Sequence, residues 1–234
     1  MEAIVLAGGL GKRLREAVPD IPKPMAPISK RPFLEYLLNY WIGQGVDRFI
    51  FSVGYKWEII QNYFGSSYKG TAIEYSIEKT PLGTGGGVML ALNKLDKKQP
   101  CLLLNGDTFF KVPLANFMEF HNQEGAEISL ALRHVSGANR YDWVILNNDS
   151  SVQRFELRSQ NVKSGLINGG VYLLNPEVFK VETWDGSSKL SLEYDMIPKA
   201  LNENRKLKGF ICAEKFIDIG IPEDYQAAAT FFEN

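Results

Sequence analysis

The sequence predicts an α/β domain built on a doubly wound, mainly parallel sheet with a smaller antiparallel β addition. Three observations carry this. Short apolar runs alternate with helix-length amphipathic segments up to about residue 125. Beyond it, strand-like runs follow one another with few helices between them, as antiparallel strands do. The 234 residues, 45% of them apolar, exclude disorder and suffice for one large α/β domain or two very small ones.

Glu2–Leu6 (EAIVL) reads as a buried strand opening into a glycine-rich turn. Phe33–Gln44, entered through Pro32 at a first-turn position, carries Leu34, Leu37, Leu38 and Trp41 at helical spacing and stops at Gly43 and Gly45. Arg48–Val53 (RFIFSV) is the next strand and Trp57–Phe64 the next helix. A strand near Ile73–Ile77 leads through Pro81–Gly87 into a helix over Val88–Leu95. Cys101–Leu104 is an apolar strand ending in Asn105-Gly106-Asp107, and a helix follows over Leu114–Gln123. Ile128–Arg133, Trp143–Leu146, Val152–Leu157 and Gly170–Leu174 read as strands expected to cover part of the sheet's carboxyl edge. Helices return at Leu192–Asn202 and Glu223–Phe232. No linker, low-complexity tract or repeat divides the chain, so residues 1–234 are expected to form one domain with a second lobe grown from it.

With 26 basic against 27 acidic side chains the formal net charge is −1. That gives no global field for nucleic acid or anionic lipid, so any anion site must be built locally. Cys101 and Cys212 lie far apart in apolar runs, which marks them as core thiols rather than a disulfide framework or zinc site. The run Ala3–Leu6 is too short for a signal peptide, and no stretch approaches the roughly 18 apolar residues of a membrane span, so a soluble cytoplasmic protein is expected. The two histidines, His121 and His134, lack metal-ligand spacing and are expected at the surface or on a solvated helix. Phe49, Phe51, Tyr63 and Phe64 are spaced as core, not as a stacking platform for single strands.

The chemistry begins at Leu6-Ala7-Gly8-Gly9-Leu10-Gly11-Lys12-Arg13-Leu14. A strand followed at once by glycines lets backbone N–H groups approach phosphate oxygens with no Cβ in the way. A dinucleotide G-x-G-x-x-G would need glycine at position 14, and a P-loop would need glycine at 6 and Ser or Thr at 13, so a different nucleotide loop is implied. Next comes Ile21-Pro22-Lys23-Pro24-Met25-Ala26-Pro27, where flanking prolines fix the backbone of Lys23 and keep it out of a helix. Downstream, Glu78-Lys79-Thr80-Pro81-Leu82-Gly83-Thr84-Gly85-Gly86 again permits close backbone approach, with Thr84 placed to cap the helix that follows. Asp107, behind the apolar Leu102–Leu104, and Asp218, in FIDIG, stand at strand ends where a buried carboxylate without a cation is costly.

LAGGLGKRL followed by PKPMAPISKRPFLEYLL resembles the signature of the sugar-1-phosphate nucleotidylyltransferases, a branch of the Rossmann-like, glycosyltransferase-A-like fold, through nearly the whole chain. Within that family PDIPKPMAPISKRPFLEYLLNYW is most similar to the guanylyltransferases acting on D-glycero-α-D-manno-heptose 1-phosphate. The resemblance implies a nucleotide-binding half over 1–125 and a sugar-phosphate half over 126–234. It sets Leu6, Ala7, Gly8, Gly9 and Gly11 on a nucleoside triphosphate, Arg13 on the departing pyrophosphate and Lys23 on the reacting phosphate. Glu78 matches the base-contacting position, with Gly83, Thr84, Asn105 and Gly106 beside the nucleotide. A carboxylate only accepts hydrogen bonds, so Glu78 can pair with the N1–H and N2–H₂ of guanine, whereas glutamine suits uracil or thymine better. GTP is favoured, and uridylyl transfer or mannose 1-phosphate guanylylation remain alternatives.

Asp107 and Asp218 match the family's LxxGD and xDxGTPxDY motifs, which implies Mg²⁺ as cofactor; Ile221 stands where the threonine is usual. Tyr141 and Asp142 match the family's R-Y-G segment against the sugar, with Asp142 replacing the glycine. Arg158 or Lys163 would hold the sugar phosphate. Asn168 and Gly169 lie on the strand that delivers sugar contacts, and Glu193 matches an acidic helix start. The expected reaction is attack by the sugar phosphate on the α-phosphorus, with a nucleoside triphosphate and a sugar 1-phosphate as partners and neither nucleic acid nor membrane. A non-catalytic sugar-nucleotide sensor is the rival from another class. A sensor is expected to have lost a metal ligand or the lysine, and Arg13, Lys23, Asp107 and Asp218 are all present.

Overall fold

The structure, a computed structural model, describes residues 1–9, 18–96, 99–136, 141–157, 164–179 and 184–233. In order, β1 (Glu2–Leu6) leads through the short pair β2 (Pro27–Ile28) and β3 (Arg31–Pro32) into α1 (Phe33–Gly43), β4 (Arg48–Val53) and α2 (Trp57–Phe64). Then come β5 (Ser67–Tyr68), β6 (Thr71–Ile77), α3 (Gly83–Leu92), β7 (Cys101–Asn105), β8 (Thr108–Phe110) and α4 (Leu114–Gln123). The second half adds β9 (Ile128–Ser136), β10 (Trp143–Leu146), β11 (Val152–Glu156), β12 (Ser164–Leu174), α5 (Ile197–Asn202), β13 (Leu207–Ile211), β14 (Phe216–Asp218) and α6 (Pro222–Glu233).

The central sheet runs β11-β10-β12-β7-β1-β4-β6-β5, with β9 and β13 attached at β12. Strands β7, β1, β4 and β6 are mutually parallel. Beyond β7 the sheet continues antiparallel through β12, β10 and β11. The antiparallel addition thus extends the same sheet instead of capping its carboxyl edge. Alternate strand residues feed two cores. Ala3, Val5, Phe49, Phe51, Leu102 and Leu104 pack with α1, α4 and α6 on one face. Ile4, Ile50, Cys101 and Leu103 pack with α3 and α5 on the other. Burial on both faces is why these strands are unbroken apolar runs. Both cysteines are buried thiols, as expected.

Helix α1, joining β1 to β4, and α3, joining β6 to β7, lie on opposite faces. The strand order therefore reverses between β1 and β7. That switch point is where open α/β sheets hold ligands.

Four further expectations need correction. Helix α3 begins at Gly83, five residues before the predicted start, and ends at Leu92. His121 is not solvated: it is 2% exposed, and its ring bonds the Ser129 hydroxyl and the Asn175 amide oxygen. Tyr63 is 48% exposed and donates to Glu35 at 2.6 Å, whereas Phe49, Phe51 and Phe64 are core. Lys23 opens a single 3₁₀ turn, Lys23–Met25, that Pro22 precedes. The turn suits X-Pro geometry because it is too short to need the amide hydrogen that proline lacks.

Candidate active site

A pocket of about 470 Å³ opens at the switch point. Its walls include Leu6, Ala7, Gly8 and Gly9 at and beyond the end of β1, Asn105 and Asp107 at and beyond the end of β7, and Glu78, Gly83 and Thr84 before and within α3. Lys23 lines it from the side. The strand ends are stitched together at this level. Ala7 N–H donates to the Ser52 carbonyl at 2.8 Å, and Gly106 N–H to the Leu6 carbonyl at 2.9 Å. Gly106 must be glycine here, because a Cβ would stand 2.6 Å from that Leu6 oxygen.

Asp107 and Asp218 meet through strand pairing. β14 runs antiparallel to β8, setting Asp218 opposite Thr108, and Ile219 N–H donates to the Asp107 carbonyl at 3.1 Å. Lys23 completes the cluster: its Nζ lies 2.5 Å from Asp107 Oδ2 and 3.7 Å from Asp218 Oδ1. The Lys23 backbone is held by Met25 N–H to the Pro22 carbonyl (2.8 Å) and Ala26 N–H to the Lys23 carbonyl (3.0 Å). Pro24 and Met25 are buried beneath it. Helix α6, which follows β14, returns to this loop: the Tyr225 hydroxyl donates to the Pro27 carbonyl at 2.8 Å.

Glu78 follows β6, which lies on the other side of β1 from β7, and lines the same pocket. Burial raises its carboxyl pKa above the ordinary glutamate value, while the Leu82 N–H, 3.0 Å from Oε2, and the Ser52 hydroxyl oppose the rise. Thr84 does not cap α3. Its hydroxyl donates to Glu193 at 3.0 Å and accepts from Leu192 N–H at 2.9 Å. The segment Leu190–Glu193 thereby clasps the start of α3, with Gly85 N–H donating to the Leu190 carbonyl at 2.8 Å.

Contacts of the second half reach both Asp218 and Thr84. Tyr141 Oη lies 3.4 Å from Asp218 Oδ2, and Tyr194 donates to Asp142 at 2.6 Å. Glu193, one residue before Tyr194, accepts from Thr84. Asn168 is turned to its own strand, with its amide donating to Tyr172 Oη at 2.6 Å and its oxygen accepting from Gly170 N–H at 3.1 Å. Gly169 packs under Phe110, where a Cβ would approach to 2.4 Å. Gly11, Arg13, Arg158 and Lys163 lie outside the described residues.

Sequence reasoning missed Ser52, Pro24, Pro81 and Gly220, which also line the pocket. Ser52 had a signal: a lone hydroxyl near the carboxyl end of an apolar parallel strand.

Backbone amides after β1, an ammonium and two converging carboxylates at a sheet switch point define an α/β protein equipped for phosphate chemistry. The chain belongs to the nucleotidyl transferase family, whose model matches residues 2–234. It is 46% identical over 228 residues to the D-glycero-α-D-manno-heptose 1-phosphate guanylyltransferase of Aneurinibacillus thermoaerophilus, covering 97% of this chain and 96% of that one. The enzyme of the same name from Campylobacter jejuni is 42% identical, covering 96% of this chain and 97% of that one. Among solved structures, HddC from Yersinia pseudotuberculosis, crystallised with GMP-PN, superposes with a TM-score of 0.86 at 34% identity and covers 99% of both chains.

Proposed function

We infer that this chain is a guanylyltransferase that moves GMP from GTP onto D-glycero-α-D-manno-heptose 1-phosphate, yielding GDP-heptose and pyrophosphate. The observation that carries the reading is identity of 46% and 42% over 228 residues to two enzymes of that name, with both acids meeting at Lys23, which lines the pocket. The acceptor-only carboxylate of Glu78 beside the pocket supports guanine.

The sugar phosphate is already an anion at neutral pH, so attack on the α-phosphorus needs no general base. The protein's task is alignment and charge neutralisation. The reactants bring roughly six negative charges, from ordinary phosphate ionisations. Lys23 opposes part of this at the transferring phosphate, the amides of Gly8 and Gly9 cradle the triphosphate, and Arg13 meets the departing pyrophosphate. Glu193 and Asp142 serve the sugar hydroxyls.

Asp107 and Asp218 suit Mg²⁺. Both already approach a single cationic atom, Lys23 Nζ. Two carboxylates, with the remaining positions left to phosphate oxygens and water, is the donor set Mg²⁺ prefers. When bound there, Mg²⁺ neutralises phosphate charge and orients the triphosphate. No helix of the described residues is long and apolar enough to cross a membrane, and a GTP-consuming reaction fits the cytoplasm.

The test is pyrophosphate release with GTP, UTP, CTP or dTTP, each paired with heptose, mannose or N-acetylhexosamine 1-phosphate. GTP with the heptose phosphate is expected to dominate. Preference for UTP or for mannose 1-phosphate would replace the reading with its neighbour in the family, and silence across the panel would leave a sensor.

A further inference from the structure

Ser52 is 1% exposed, one residue before the carboxyl end of β4, and lines the pocket. A hydroxyl buried this deeply requires a partner. The group it faces is the Glu78 carboxylate, whose pKa it helps to hold down. Two glycines open the space in which the pair meets. A Cβ on Gly87 would stand 2.6 Å from Ser52 Oγ and 2.8 Å from Glu78 Oε1, and one on Gly8 would stand 2.9 Å from the same Oε1. On its other side the carboxylate accepts the Leu82 N–H at Oε2, 3.0 Å away. A carboxylate offers about four lone-pair positions. Ser52 and Leu82 address two of them, and two remain on a side chain that lines the pocket.

We propose that Ser52 is the positioning residue for base selection: with the Leu82 amide it fixes Glu78 so that its two remaining acceptor positions meet the N1–H and N2–H₂ of guanine together. The inference rests on the guanylyltransferase reading above. Orientation is what it adds. A carboxylate free to rotate still accepts one hydrogen bond, but it no longer distinguishes a base with two adjacent donors from a base with one.

Inosine triphosphate keeps N1–H and lacks the N2 amine, so the ratio of kcat/KM for GTP over ITP reads this geometry. In Ser52→Ala the KM for GTP is expected to rise about tenfold, as for loss of a hydrogen bond to a charged group. The GTP:ITP ratio should fall toward one while the KM for the sugar phosphate stays within about twofold. In a Glu78→Gln background the same substitution should add less than about twofold, because the group it positions has gone. A folded Ser52→Ala protein with an unchanged GTP:ITP ratio, or with effects that multiply fully onto Glu78→Gln, overturns the proposal. Should Ser52→Ala melt early, Ser52→Cys keeps the size with a weak donor and is read on the same ratio. Wild-type protein inactive with GTP would instead sink the guanylyltransferase reading itself, which separates the two failures.

Discussion

Replacing Lys23 by alanine removes the ammonium that lies 2.5 Å from Asp107 and 3.7 Å from Asp218. Its side chain is only 9% exposed, so solvent compensates little for the loss. At roughly 4 Å, a unit charge opposite a phosphate oxygen is worth about 4 kcal/mol at the effective dielectric of a protein site. Deletion of one preorganised donor at a transition state typically costs about 3–4 kcal/mol, or roughly 10²–10³-fold in rate. The two figures agree, and kcat for Lys23→Ala should fall within that range. The KM for GTP should change far less, since the triphosphate keeps its contacts with the glycine loop. The assay is continuous pyrophosphate release at saturating GTP, Mg²⁺ and heptose phosphate, on protein whose circular dichroism matches wild type. Turnover within about threefold of wild type would refute the assignment of Lys23 to the reacting phosphate.

Four further outcomes follow from the same geometry. Burial raises the Glu78 pKa, so its ionised form costs folding stability at neutral pH and that cost fades as pH falls through the folded value. Glu78→Gln should therefore melt no lower than wild type while its KM for GTP rises about tenfold, and wild-type KM for GTP should climb as pH drops and Glu78 protonates. Gly83 has φ of +78°, and a Cβ there would lie 2.4 Å from the Leu190 carbonyl oxygen; Gly83→Ala should cost about 2 kcal/mol or more and lower Tm by roughly 4–8 °C in a melting curve. Tyr194→Phe removes the 2.6 Å bond to Asp142 and should raise the KM for the sugar phosphate roughly threefold to tenfold with the KM for GTP unmoved. Burial lowers the His121 pKa, so the unfolded chain takes up the proton first and stability is lost as pH falls through about 6.5; Tm measured from pH 7 to 5 should decline less steeply in His121→Gln.

The elements most legible in the sequence were those whose burial leaves a pattern. EAIVL and RFIFSV are covered on both faces, so their apolar runs mark β1 and β4 directly. The start of α3 was hidden because glycine propensity argues against helix. Packing overrides it: a Cβ on Gly85 would meet Met196 Sδ at 2.6 Å, and one on Gly86 would meet Leu82 Cβ at 2.6 Å. The burial of His121 is legible in its position, since Leu114, Phe117 and His121 share one helical face, whereas histidine as a residue type argues for the surface. β13 leaves little trace in the sequence because LKGFI lacks a strong period, and its place is set by pairing with β9. At the site, the identities of Lys23, Asp107 and Asp218 came through motif resemblance. Their convergence depends on the pairing of β8 with β14, which no local pattern announces. Ser52 shows in the sequence only as a lone hydroxyl in an apolar strand, and it is the fold that sets Glu78 against it.

Direct displacement at the α-phosphorus, assisted by Lys23 and two acids with no protein nucleophile, is most directly tested by stereochemistry. GTP carrying a chiral α-phosphorothioate is turned over with the heptose phosphate, and the configuration of the product's thiophosphate is determined. One in-line attack inverts that centre, and inversion is the expected result. Retention would require two successive displacements through a covalent enzyme–nucleotide and would contradict the account.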